Sequence, residues 1–353
     1  MKPSSFVCQP AGALLITHSG EIEVFSDKCS AFISTFQNFS GIARTLSLLD
    51  EELLLLGNDA LGTKERYISI QKPRDGLLMK YTVEELPLTQ PLHSHSSLVS
   101  GNELTVVGGK FKSRGKYSKF TWTESALKWE NGSKYIPSVA GSCSVKLGAD
   151  LHILFGGERE LNGQKVSVGQ VVKINTTEEI AYELSPIKYS RVSHGCALLN
   201  NGLVLLSGGV SQRGTGQKAI LQDELYNTVS GEVTDLNLGQ SLKRAQHATL
   251  RLGDRILAFG GVDVNNNALA KISEFDITTS TWTNLDRELL STNTSKLVVS
   301  PFPVAALDFV PHCDCAPATR EGRIQGGTQA EVNKVDIKEI VIGTAGALVV
   351  VAV

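Results

Sequence analysis

Four apolar runs in this chain end on paired glycines, at Gly108-Gly109, Gly156-Gly157, Gly208-Gly209 and Gly260-Gly261. They read LTVVGGK, LHILFGGE, LVLLSGGV and ILAFGGV, and their first glycines stand 48, 52 and 52 residues apart. Glycine gives up more backbone entropy on ordering than any other residue, so a strand that ends on two of them needs a reason. A reason that recurs at a near-fixed interval belongs to a repeated unit. Weaker copies lie one step back at Gly57, in ELLLLGND, and a further step back in ALLITHSG, which gives six units centred near residues 17, 57, 108, 156, 208 and 260.

Two further signals keep the same frame. Beyond most glycine pairs a hydrophobic or aromatic residue is followed seven positions later by another, as in FDITTSTW from Phe275 to Trp282 and WTESALKW from Trp122 to Trp129. FSDKCSAF (Phe25 to Phe32), YNTVSGEV (Tyr226 to Val233), KINTTEEI (Lys173 to Ile180) and MKYTVEEL (Met79 to Leu86) follow it more faintly. Each reads as strand, polar turn, strand. Ahead of the glycine strand, RVSHGCALL and RAQHATLRL share Arg-x-x-His, and LHSHSSLV keeps His95. Helix-period patterning is almost absent. Four short strands in some fifty residues, repeated radially, make an all-β propeller of six blades. On this reading the glycine strand is the innermost of each blade, and glycine fits because neighbouring backbones crowd at the axis.

The diglycine, the aromatic, the tryptophan seven positions on and the preceding Arg-x-x-His together resemble the kelch repeat, over roughly residues 4 to 305. The resemblance implies a six-bladed kelch-type β-propeller over residues 1–308, in which Gly108, Gly109, Gly156, Gly157, Gly208, Gly209, Gly260, Gly261, Trp129 and Trp282 are the structural signature. Ring closure has two candidate strands, at Ser4 to Cys8 as the outer strand of the last blade or at residues 295–304.

Composition narrows the function. A net charge of −2 gives no electrostatic reason to expect nucleic acid as a partner. No run of about twenty apolar residues is present, so no membrane span is expected. The opening twenty residues carry a proline-broken apolar stretch too short for a signal peptide, and the six cysteines do not suggest a disulfide scaffold. His95, His194 and His247 recur once per unit, so a ring spreads them apart, and they read as buried histidines that satisfy backbone groups rather than as metal ligands. Tyr135, Tyr182 and Tyr189 show no arrangement of the copper-radical type, and no phosphate loop or His-Glu-x-x-His motif is present. No catalytic residue, metal or cofactor is expected.

What remains is surface. The loops after the glycine pairs are long and dissimilar, and one of them places Lys110, Lys112, Arg114, Lys116 and Lys119 within ten residues, a contact suited to an acidic partner. Beyond the repeats, residues 309–353 form a separate tail. There RIQGGTQAEVN resembles the activation segment of a trypsin-like serine protease, which implies cleavage between Arg323 and Ile324 and a tether at Cys313 or Cys315. Nothing resembling that family's catalytic blocks follows, so no triad is present. Three readings result: a protein-binding kelch module, the non-catalytic regulatory region of a truncated secreted modular protease, and a propeller enzyme. The compartment follows from the choice, cytoplasmic for an adaptor and extracellular for the protease remnant.

Overall fold

A run such as Leu151–Phe155 alternates poorly because both of its faces are buried, and the architecture explains why. The computed structural model describes residues 11–303 apart from 18–20, 27–29, 36–40, 50–51, 60–64, 72–79, 86–94, 102, 109–115, 124–125, 136–138, 214–215, 220–221, 237–240 and 291–296. The described residues are almost entirely β, with one 3-10 turn at Asn200–Gly202.

Strands fall into antiparallel meanders. The first holds β1 (Ala11–Thr17), β2 (Glu21–Ser26) and β3 (Ser30–Thr35), and the second β4 (Gly41–Leu49), β5 (Glu52–Asp59), β6 (Glu65–Gln71) and β7 (Lys80–Glu85). The third holds β8 (His95–Ser100), β9 (Glu103–Gly108), β10 (Lys116–Thr123) and β11 (Ala126–Tyr135). In the fourth, β12 (Cys143–Lys146) and β13 (Leu151–Phe155) are followed by a hairpin of β14 (Glu158–Leu161) and β15 (Gln164–Ser167) before β16 (Val171–Asn175) and β17 (Ile180–Leu184) complete the sheet. The fifth repeats this with β18 (Gly195–Leu198), β19 (Leu203–Ser207), the hairpin β20 (Val210–Arg213) and β21 (Gly216–Ala219), then β22 (Glu224–Asn227) and β23 (Val233–Asp235). The sixth is β24 (Ala248–Leu252), β25 (Arg255–Phe259), β26 (Lys271–Asp276) and β27 (Thr281–Glu288). The last strand, β28 (Leu297–Pro303), returns to pair antiparallel with β1 and fills the first position of the first sheet.

These six sheets touch through their first strands in the cyclic order β28, β4, β8, β12, β18, β24 and back to β28. The cores lie between neighbouring sheets. Leu98 and Val107 of the third pack on Leu154, Val172 and Ile174 of the fourth, whose Ile153, Phe155 and Val171 meet Val204, Leu206 and Tyr226 of the fifth. Ala197 and Leu205 of the fifth meet Ile256 and Phe275 of the sixth, and Leu257, Phe259 and Ile272 of the sixth meet Leu15 and Phe25 of the first. Edge-on ring pairs sit at two of these seams, Phe155–Tyr226 and Phe25–Phe259, with centroids 5.2 and 5.3 Å apart. Each fully buried side chain of this size contributes about 1.5–3 kcal/mol. A sheet covered on both faces needs apolar residues on both, hence the continuous runs.

Several expectations change here. The glycine strands β9, β13, β19 and β25 are second in their sheets, and the axial strand is the one before. Leu297–Pro303 takes the inner place of the first sheet, while Ser4 to Cys8 lies outside the described residues. The segment from Met79 to Leu86 is not a hairpin: its described part is the single strand β7, paired along β6. Phe275–Trp282 and Tyr226–Val233 are hairpin partners as read. Trp129 instead stands opposite Phe120, Phe32 opposite Glu23, and Lys173 opposite Tyr182.

The scattered cysteines also hold a surprise, since Cys143 of β12 and Cys196 of β18 form a disulfide across the two axial strands, with Cα atoms 6.0 Å apart. Their separation of 53 residues is about one repeat, a signal available in the sequence. Reducing the bond, or replacing Cys143 with Ser, is expected to lower the unfolding free energy by about 2–4 kcal/mol. Urea unfolding with and without reductant measures it, and coincident curves contradict the staple.

Candidate functional site

Both the strand 2-to-3 loops and the segments that lead into each axial strand end on one face of the ring, because His95 pairs with Gly108 and Gly195 with Ser207. On this diglycine face each lead-in segment pairs with the start of its own blade's loop, as in Ala140–Glu158, Val192–Val210 and Ala245–Val262. The glycines are required there for two reasons. Gly156, Gly157, Gly208, Gly209, Gly260 and Gly261 all have positive φ, between +58° and +106°, which costs other residues about 1–2 kcal/mol. The next blade's lead-in also passes directly over them: a Cβ on Gly208 would stand 2.1 Å from the Arg244 carbonyl, and one on Gly156 2.6 Å from that of Arg191.

The recurring arginine ties this seam together. Arg191 accepts a bond at its carbonyl from Gly157 N–H of the preceding blade, and its Nη1 donates 3.1 Å to the Gly208 carbonyl of its own. Arg244 does the same between Gly209 and Gly260. The two guanidiniums differ in their remaining partners. Arg191 forms a wholly buried ion pair with Glu224, Nη2 to Oε2 2.6 Å, while Arg244 donates to the neutral Ser273 hydroxyl at 2.6 Å. Burial raises the Glu224 carboxyl against the opposing pull of Arg191. Neighbouring Asp223 is likewise raised by burial, although it accepts from Gly208 N–H, Leu242 N–H and the indole of Trp282 at 2.7 Å. Trp282 thus bonds its blade to the one before.

His95, His194 and His247 are all buried, but His194 and His247 do not serve as the sequence reading expected. His247 Nε2 meets the Ser207 hydroxyl at 3.1 Å rather than a backbone group, and both ring nitrogens of His194 lack a hydrogen-bond partner. Each ring lies over the neighbouring blade's glycine, His194 on Gly156 and His247 on Gly208. Burial, reinforced by Arg244, depresses His247 to about 3; burial, then Arg191 and His247, holds His194 well below the usual imidazole range. Among the described residues no group of three or more His, Cys, Asp or Glu could hold a metal ion. No helix among them is long and apolar enough to cross a membrane.

Above this base stands a seventh four-stranded sheet, β14-β15-β20-β21, in which the loop hairpins of two adjacent blades join through a Val166–Arg213 pair. It was missed because its strands are polar. Asn162-Gly163, with φ of +51° and +76°, is the turn signal that could have revealed its first half. Of the cationic loop, Lys116 and Lys119 lie in β10, whereas Lys110, Lys112 and Arg114, like Gly109, lie outside the described residues. Arg323, Ile324, Cys313 and Cys315 lie outside them too.

Comparison with known proteins agrees with this geometry. The Kelch motif matches residues 243–286, from the Arg244 lead-in through the Trp282 strand. Among solved structures the chain is similar to YjhT, with a TM-score of 0.58 at 13% identity over 76% of this chain and 91% of that one. At that identity the likeness speaks for the fold alone. A search of curated proteins finds no match to this chain. The fold is that of a kelch-type β-propeller.

Proposed function

We propose that the chain is a closed six-bladed ring that binds a protein partner through the loops of its diglycine face and carries out no catalysis itself. The observation that carries this reading is the raised sheet. Its two hairpins are rooted in the lattice of Arg191 and Arg244, and the first projects exposed residues, Arg159 to Lys165, from a rigid base, as in scaffolds that bind through loops. The Cys143–Cys196 staple favours an oxidising compartment over the cytosol as the setting for that binding.

Capture on the immobilised full chain, read by mass spectrometry, tests the proposal. A partner retained by the native chain is expected to be lost when the tips of both hairpins are replaced by short Gly-Ser turns. It should be kept by Val229→Asp, whose side chain is 90% exposed on the opposite face. Capture unaffected by the hairpin replacement, or abolished equally by Val229→Asp, overturns the reading.

A further inference from the structure

We infer that the Cys143–Cys196 bond is a reducible latch on the raised sheet, so that binding there depends on the redox state of the chain. This rests on the raised sheet being the binding surface and names its regulation. Two features coincide at one seam. The disulfide joins the axial strands of the fourth and fifth sheets, and the raised sheet joins the loops of the same two sheets. Short segments connect them. Ala140 exchanges backbone bonds of 2.9 and 2.7 Å with Glu158, the root of the first hairpin. Val192 exchanges bonds of 2.9 and 3.0 Å with Val210, the root of the second. Between these lead-ins Ser193 N–H donates 3.0 Å to the Gly141 carbonyl. Cys143 follows Gly141 by two residues and Cys196 follows Ser193 by three, so the S–S bond clamps the two supports just below the hairpins.

The ring does not require a covalent link at this level. At the seam of the fifth and sixth sheets the same two places hold Gly195 and Thr249, paired to Ser207 and Ala258 as Cys143 and Cys196 are to Phe155 and Leu206. A Cβ on Gly195 would collide with the Thr249 hydroxyl, so these places converge there too, without a bond. No loop strands pair across that seam among the described residues. The raised sheet itself is divisible: among the described residues Val166–Arg213 is the one pair between its hairpins. A junction of one pair opens at little cost once its supports can part. Both cysteines are half-buried, which leaves them open to a small dithiol. A thiolate of that dithiol attacks one Sγ, the S–S bond breaks, and its electron pair leaves on the other Sγ, which takes up a proton. The dithiol's second sulfur, giving up its proton, then displaces the first cysteine, which is protonated in turn. Cys143 and Cys196 end as thiols and the reductant as a cyclic disulfide.

Native-state hydrogen–deuterium exchange of the full chain, oxidised and after dithiothreitol without denaturant, tests the latch, with mass spectrometry recording the thiols. Reduction is expected to speed exchange in β14, β15, β20 and β21 about tenfold and to leave β26 within about twofold. Cys143→Ser with Cys196→Ser is expected to match the reduced chain in either buffer. Leu257→Ala, in the core between the sixth and first sheets, lowers stability without touching the latch and should leave hairpin exchange within about twofold. A bond that resists the dithiol, hairpin exchange unchanged by reduction, or equal acceleration in Leu257→Ala overturns the inference. Capture supplies the second arm: a partner held by the oxidised chain is expected to bind the reduced one about tenfold more weakly. Equal capture by both forms overturns the redox control. Absence of capture by either form removes the binding reading instead, and exchange alone then decides whether the bond governs the sheet.

Discussion

Lowering the pH from 6.5 to 5 is expected to remove on the order of 2 kcal/mol of stability for each of His152 and His247, with His194 acting in the same direction. Burial depresses all three, His152 to about 4 and His247 to about 3. A histidine whose folded pKa lies below its unfolded value of about 6.5 binds fewer protons when folded. Its contribution is therefore complete above pH 6.5 and is lost as pH falls toward the folded value. Arg191 and His247 face His194, Arg244 faces His247, and Lys146 faces His152 with Asp150 opposing it, so the neighbouring charges mostly reinforce burial. Asp223 and Glu224 work the other way, since their raised carboxyls take up protons in the folded ring and recover part of the loss. Urea unfolding across pH 4.5–7.5 measures the net slope. His194→Gln with His247→Gln is expected to flatten it, and an unchanged slope in that variant would sink the attribution.

Replacing Arg191 with Met is expected to cost about 3–5 kcal/mol, because Glu224 stays buried without its counter-ion. The carboxylate keeps the N–H groups of Lys188 and Tyr189 on Oε1, which hold it in place without neutralising it. Adding Glu224→Gln to Arg191→Met removes the stranded charge while keeping an acceptor for those donors, and so recovers part of the loss. Arg244→Met is the internal comparison. It forfeits bonds to the Gly260 and Lys271 carbonyls and to Ser273, at about 1 kcal/mol each, but leaves no ion behind. Chemical denaturation of the three variants decides the matter. Equal losses for the two arginines would show that hydrogen bonding, not the buried charge, dominates.

How far the sequence spoke depends on what each residue was under pressure to do. The diglycines were legible because positive φ and an overhead carbonyl leave no alternative at Gly208. Their place in the sheet was not, since the axial strands Cys143–Lys146 and Gly195–Leu198 are short and mixed and give no sign that they face the centre. Tyr226–Val233 and Phe275–Trp282 were readable as hairpins from a tight polar turn; Met79–Leu86 imitates that spacing without the turn. The raised sheet was the least visible part. Val166 and Arg213 lie 47 residues apart in polar stretches, and only their backbone pairing joins the two hairpins. The cationic loop from Lys110 to Lys119 drew attention by local density instead. Glu224, in DELY, gave no hint of an ion pair because its partner lies 33 residues upstream.

Closure by Leu297–Pro303 has a consequence for biosynthesis. Thr17, at the end of β1, leaves the ribosome roughly 280 residues before Leu297, its neighbour in the finished sheet. At translation rates of about 5–20 residues per second, that edge waits on the order of 15–60 seconds for its partner. Throughout that interval the nascent chain presents an unpaired, largely apolar strand to its surroundings, the kind of edge that invites pairing with other chains. A chain stopped short of Pro303 would carry that hazard permanently.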